Sequence, residues 1–407
     1  MNWRNLYLFL LGAFLTINIK LGGDLSASDI LILALSPWAC LKLKRIWKKP
    51  IKQILILGAF YWVGLALSDY LNSSTFEDWS RGHAKVGIML FSIGVITVVS
   101  QLKIDRLIYF FWSSSLSAFI SQLLGQGEVS HLWKFGWGPV TTSFLALFCG
   151  RIFLMRKFQS LPFSALGIFH FLMNARSLAG FTLLTGLILG SASKRKNNVE
   201  IKKKKSSVRA YAAIIVFGGI VYFLYDYGAS NGWFGDESRL KYEMQTVGGK
   251  SVLVGGRGEF LTSLTAIKDS PLIGYGSWPK SEKYVLLYLE YSNIELSSAK
   301  ADFFLQRKLI PSHSHIFGGW MEAGIAGGLF WLYTLYLFLT TVARLVTGKM
   351  LHYGAFIIFM LVSSSWDIVF SPFGSTRRIT HAVSLVVCAS LFSFRGSLKN
   401  ERARLLV

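Results

Sequence analysis

The sequence predicts an all-α polytopic membrane protein of about twelve transmembrane helices, with one large external loop between the ninth and the tenth. Three observations predict it. Hydrophobic residues make up 52% of the 407, and charged residues only 16%, where a soluble domain carries about 25% charge. Apolar runs of about 18–20 residues recur from end to end, the length that crosses a bilayer core as helix. The runs are continuous rather than alternating, which favours helices over the other structure lipid permits, a closed barrel.

In chain order the spans are expected at about 5–21, 28–42, 52–69, 84–101, 106–124, 139–155, 160–175, 178–192, 210–226, 314–343, 351–371 and 378–394. The opening "MNWRNLYLFLLGAF" lacks a small-residue cleavage site, so it reads as an uncleaved first span. A net charge of +22 on a soluble protein would suggest nucleic acid. Here the basic residues collect between spans, as cytoplasmic loops do. "KLKRIWKKPIK", "SKRKNNVEIKKKKSSVR", Arg156, Lys157, Arg344, Lys349 and the tail "RGSLKNERARLLV" all fall on one side if the N-terminus is inside. Cys40, Cys149 and Cys388 lie in apolar segments and read as small core hydrophobes, not disulfides or metal ligands.

This map divides the chain into helices one to nine over 1–226, an external loop domain over 227–312, and the last three spans with a cytoplasmic tail over 313–407. The loop is too long for a simple connector, and such loops carry function or are disordered. Its aromatic stretch "YVLLYLEYSN" and turn stretch "DSPLIGYGSWP" argue for order. "EFLTSLTAI" has helical spacing, closed by proline and glycine punctuation.

Three residues share the outer face on this map: Arg176 in "FLMNARSLAGF", Arg257 in "VGGRGEF", and His313 at the mouth of the tenth span. An arginine beside glycines at a short helix start suits phosphate binding. The bland reading of a lone arginine here is snorkelling, which fits Arg377 and Arg378. His83 and His131 read as loop residues, His170 and His381 as core or boundary histidines, and His352 as lying near the inner face. Asp69 and Asp367, near outer span ends, are expected to partner arginines. Trp133 and Trp137 could stack on sugars, although an aromatic belt explains them better.

The ordered trio resembles the O-antigen ligase and O-antigen polymerase superfamily, membrane glycosyltransferases that use undecaprenyl-diphosphate-linked glycans. His313, Glu322 and Gly324 match the family's spacing of histidine, glutamate and glycine. "GRGEFLTSLTAIKDSPLIGYG" is similar to its external arginine helix and following turn, and "NARSLAGFTLLTGLILG" to its arginine-led span. Where the family has asparagine after the histidine, this chain has Ser314. The resemblance implies a GT-C-like bacterial inner-membrane enzyme with its site on the periplasmic face. His313 would be the general base and Arg176 and Arg257 would bind diphosphate. His315 and Glu322 would at most support, and neither a metal nor another cofactor would take part. The partners implied are the lipid-linked glycan donor, a glycan or lipid-anchored glycan acceptor and membrane lipids, with no nucleic acid. Inversion at C1 is expected, because the acceptor attacks as the diphosphate leaves.

Two other classes compete. A transporter or flippase for lipid-linked oligosaccharide suits twelve spans, and should show broken helices or midplane charges. A receptor or scaffold would use the external loop alone. The topology is tested by cysteine labelling in intact spheroplasts. A membrane-impermeant reagent should modify a cysteine placed at Ser281 and spare one at Ser397. Labelling of Ser397 but not Ser281 contradicts the map.

Overall fold

The structure is a computed structural model that describes residues 1–20, 23–46, 49–125, 131–152, 156–194, 219, 223, 226–233, 235–246, 258–347 and 353–404. It is mostly helical. The helices are α1 (Trp3–Ala13), α2 (Ala27–Leu43), α3 (Lys49–Leu71), α4 (Phe76–Ser100), α5 (Ile104–Leu123), α6 (Gly138–Ile152), α7 (Arg156–Leu172) and α8 (Arg176–Lys194). After them come α9 (Asp236–Thr246), α10 (Gly258–Asp269), α11 (Glu282–Tyr291), α12 (Ala299–Arg307), α13 (His315–Ala323), α14 (Ile325–Thr347), α15 (Gly354–Phe370) and α16 (Ser375–Arg404). Most of the expected ninth span and of the basic loop before it, and His352, lie outside the described residues.

Among the described residues three helices are long and apolar enough to cross a membrane: α3, α4 and α14. α4 sits at the centre. From Val86 to Ser100 nearly every side chain is buried, because α1, α2, α3 and α16 all pack on it. A helix buried all round needs no polar face. The outer helices do the reverse and expose apolar stripes. Ile56, Phe60, Val63 and Leu67 on α3 stand more than half or nearly half exposed, as do Leu329, Leu332, Tyr336 and Leu339 on α14. Their spacing is one helix face. Contiguous exposed apolar stripes of this kind mark surfaces that meet lipid or a partner.

Two of the expected spans are corrected. The first span is shorter than its apolar run. α1 ends at Ala13, and Asn18–Lys20 pairs antiparallel with Asp24–Ser26. The β-branched Ile17 and Ile19 favour the extended chain there. The tenth span is not one helix. It breaks at Gly324, whose φ of 57° and ψ of −149° only glycine adopts easily. A Cβ on Gly327 would stand 2.0 Å from the Gly319 carbonyl oxygen, so α13 and the start of α14 touch backbone to backbone.

The break leaves carbonyls and N–H groups that α13 and α14 cannot satisfy themselves. The segment after α10 fills them. Tyr275 N donates to Met321 O at 2.6 Å, Gly276 N to Glu322 O at 3.1 Å, and Ile325 N to Leu272 O at 3.3 Å. The same segment is held on α3. Gly276 N donates to Ser68 Oγ at 2.8 Å, and Ser277 N to Asp69 Oδ1 at 2.6 Å.

Charges inside the helical body are paired. Lys85 Nζ on α4 donates to both oxygens of Glu322, at 2.6 and 2.5 Å. Arg378 is buried and donates to Asp29 Oδ2 at 2.8 Å, which corrects its reading as a snorkelling residue. Asp69 partners the loop at Ser277 and lies 3.2 Å from His83 Nε2, so it is no arginine's partner. His83 belongs to α4 rather than a loop, and its Nδ1 accepts from Trp62 Nε1 at 2.8 Å. Asp367 and Arg377 do pair, at 3.4 Å. Cys149 and Cys388 are buried, but Cys40 is exposed on α2.

Removing one member of a buried pair strands the other charge, at a cost of about 3–5 kcal/mol. Lys85→Met or Glu322→Met alone should therefore lower the thermal unfolding midpoint markedly in detergent. The double variant Lys85→Met with Glu322→Met should lose much less than the sum. Single variants that melt with the parent would contradict the pairing.

Candidate functional site

The site forms where the segment 308–314 crosses α10. Pro311 O accepts from Ser263 Oγ at 3.2 Å, and Phe260 meets Phe317 edge to face at 4.7 Å. These contacts fix α10 against the N-terminal end of α13. Ser314 caps that end. Its hydroxyl receives Phe317 N at 3.3 Å and donates to Ile368 O of α15 at 3.2 Å. Serine is among the strongest helix caps.

The two histidines part company here. His313 precedes the helix and its side chain is 63% exposed, with Nδ1 3.8 Å from Glu259 Oε1. His315, on the first residue of α13, is 1% exposed. Its ring is boxed by Trp331, Phe373 and His381 at centroid distances of 4.8, 5.0 and 4.9 Å. Solvent reaches the first and not the second. The expected supporting role of His315 is thereby limited to packing.

Glu259 stands in the first turn of α10, where the helix dipole favours a carboxylate. It also accepts from Tyr288 Oη of α11 at 3.4 Å. At 3.8 Å the carboxylate lies within ion-pair reach of the imidazole but beyond hydrogen-bond distance. Sequence reasoning missed Glu259, although its place two residues after Arg257 was visible. It also missed Lys85, a lysine in an apolar run and so a residue that needs a named partner. Glu322 is that partner. It is a buried structural acid, as its spacing from His313 suggests.

Arg257 lies outside the described residues; the helix it would precede begins at Gly258, as expected. Arg176 opens α8, and its Nε donates to Asn174 Oδ1 at 3.3 Å. α8 packs on α15, the helix whose Ile368 carbonyl holds Ser314. The segment that carries His313 thus meets α10, and α8 meets it only indirectly, through α15. His170 is a satisfied core histidine, with Trp133 Nε1 at 3.1 Å and Thr142 Oγ1 at 2.8 Å. Trp133 is thereby engaged in packing rather than free to stack on sugar. Comparison with family models, with curated protein sequences and with solved structures returned no match.

α10 and α11 are held together by Asp269, which accepts from Lys283 at 2.7 Å and Tyr284 Oη at 2.6 Å. Those two bonds, Lys283 first, hold the Asp269 carboxyl below its ordinary range. A lowered carboxyl pKa gives stability that is present above the unfolded value and lost as pH falls through the folded one. Protection of α11 amides from hydrogen exchange, corrected for intrinsic rate, should therefore fall as pH drops below about 4. Asp269→Asn should remove that pH dependence and lower α11 protection slightly at neutral pH, because the Lys283 pair is exposed and α10 and α11 also pack through Ala266, Ile267 and Tyr284. Protection that is flat with pH in the parent chain would contradict this.

Proposed function

We propose that the chain is a membrane glycosyltransferase that moves a glycan from an undecaprenyl-diphosphate donor to an acceptor hydroxyl, as a surface-polysaccharide polymerase or an O-antigen ligase. One observation supports it most. Of the two histidines at the helix mouth, His313 is open to solvent beside a carboxylate, and it is the one whose spacing to Glu322 and Gly324 carries the resemblance. In the reaction, His313 Nε2 takes the acceptor proton while Glu259 steadies Nδ1. The acceptor oxygen bonds to C1, the bond from C1 to the diphosphate oxygen breaks, and its electron pair leaves with the diphosphate. Configuration at C1 inverts. Arg176 and Arg257, by the resemblance, meet the leaving charge with planar, permanently charged forks, so no metal is required. The exposed apolar stripes on α3 and α14 fit a multi-pass bacterial inner-membrane protein with this site on the periplasmic face.

A second reading has one observation in its favour. A broken helix next to a buried charge pair, as at Gly324 with Lys85 and Glu322, is a feature of transporters. A flippase for lipid-linked oligosaccharide would use it. The two readings part on turnover. With purified protein and a lipid-diphosphate glycan, His313→Ala should lower transfer by about 10²-fold or more while inserting normally, since general-base catalysis is worth that much. His315→Ala should melt earlier and lose far less rate per folded molecule. Arg257→Lys should be severe, because a point charge does not replace a planar fork. Rapid transfer by His313→Ala, or translocation without any transfer by the parent, would overturn the enzyme reading.

A further inference from the structure

A cleft of about 200 Å³ opens between the α3–α4 turn and the strand-like segment after α10. Asn72, Ser73, Ser74, Asp78, Trp278 and Lys280 line it. Its volume is below the roughly 300–1,000 Å³ of sites for drug-sized ligands, so it suits one ring rather than a lipid.

The lining has a particular chemistry. Asp78 Oδ2 accepts from Thr75 Oγ1 at 2.8 Å and from Lys280 Nζ, which leaves Oδ1 as an acceptor. Asn72 spends its amide hydrogens on Ser68 O and Gly274 O, which leaves its carbonyl oxygen. The hydroxyls of Ser73 and Ser74 make no hydrogen bond among the described residues. Asp78 and Lys280 cancel in charge, so the cleft recommends itself neither to a phosphate nor to a cation. It offers several neutral hydroxyl-matching groups around one indole.

That indole is held out on purpose by its neighbours. Trp278 has φ of 52°, a conformation bulky residues rarely adopt, and stays 39% exposed. It is fixed on both sides: Ser277 N is bonded to Asp69 Oδ1 at 2.6 Å, and Pro279 O accepts Ile310 N at 2.9 Å. Such over-determined outliers cluster at ligand sites. By contrast Phe76 and Trp79 are exposed aromatics stacked on each other at 5.9 Å on α4, as interfacial anchors are. Trp278 stands on a polar loop and lines a cleft shared with serines and Asn72.

The cleft is also near His313. Lys280 bridges Leu309, and the four residues from Leu309 to His313 span at most about 14 Å when extended.

We propose that this cleft is a carbohydrate subsite that takes one neutral pyranose ring, its apolar face on Trp278 and its hydroxyls on Asp78, Asn72 and the two serines. Which glycan arrives there rests on the transfer reading above; recognition of a sugar ring does not. The test is saturation-transfer NMR on the full chain in nanodiscs, with methyl glycosides of glucose, galactose, mannose and N-acetylglucosamine as probes. Ring protons of at least one probe should receive saturation. Trp278→Ala should weaken that binding by about tenfold or more, and Trp278→Phe should keep most of it. No transfer to any probe, or parent-like binding by a folded Trp278→Ala, overturns the subsite. Glycosyl transfer without probe binding would sink the subsite and leave the enzyme reading intact. Probe binding by a parent that shows no transfer activity would support the subsite and sink the enzyme reading.

Discussion

Backbone polar groups exposed by the break at Gly324 are the constraint on which the rest of this structure depends. In lipid or packed protein such groups cost several kcal/mol each unless bonded. Leu272, Tyr275 and Gly276 bond them, which brings the segment after α10 onto the end of α13. That docking has consequences at both ends of α13. At its C-terminal end Glu322 meets Lys85 of the central helix. At its N-terminal end the chain must arrive across α10, and this leaves His313 beside Glu259. The two sequence segments that resemble one family's motifs are therefore a single interlocked unit.

Charge follows the same logic. The chain is strongly basic, yet Lys85, Arg378 and Arg377 each have an acid, in Glu322, Asp29 and Asp367. Two of these pairs, Lys85 with Glu322 and Arg378 with Asp29, are buried and tie helices distant in sequence, α4 to α13 and α2 to α16. Buried pairs of this kind are poor evidence of added stability, because desolvation offsets much of the attraction. Their value is in specifying which helices meet. Lys85 with Glu322 selects the packing that sets the depth of α13, and so the level at which His313 emerges.

Much of this was legible in the sequence for local reasons. The helix Gly258–Asp269 and the place of His313 just ahead of its span follow from periodicity and turn signals, whereas the burial of His315 does not. What was not legible is long-range. Nothing near Asp69 announces Ser277, two hundred positions on, and nothing near Arg378 announces Asp29. The break at Gly324 was hidden because its flanks are apolar and the run reads as one span. A glycine needs its backbone angles, set here by the docked segment, to show that it ends a helix. Arg257, on which the resemblance leans, lies outside the described residues.

The account's central claim is that this chain transfers lipid-linked glycan at the outer membrane face. Mass spectrometry of lipid-linked and surface glycans in a strain lacking it tests that claim most directly. The account predicts either surface glycan reduced to single repeats, for a polymerase, or long glycans accumulating on the lipid carrier, for a ligase. Lipid-linked and surface glycans both unchanged from the parent strain would contradict it.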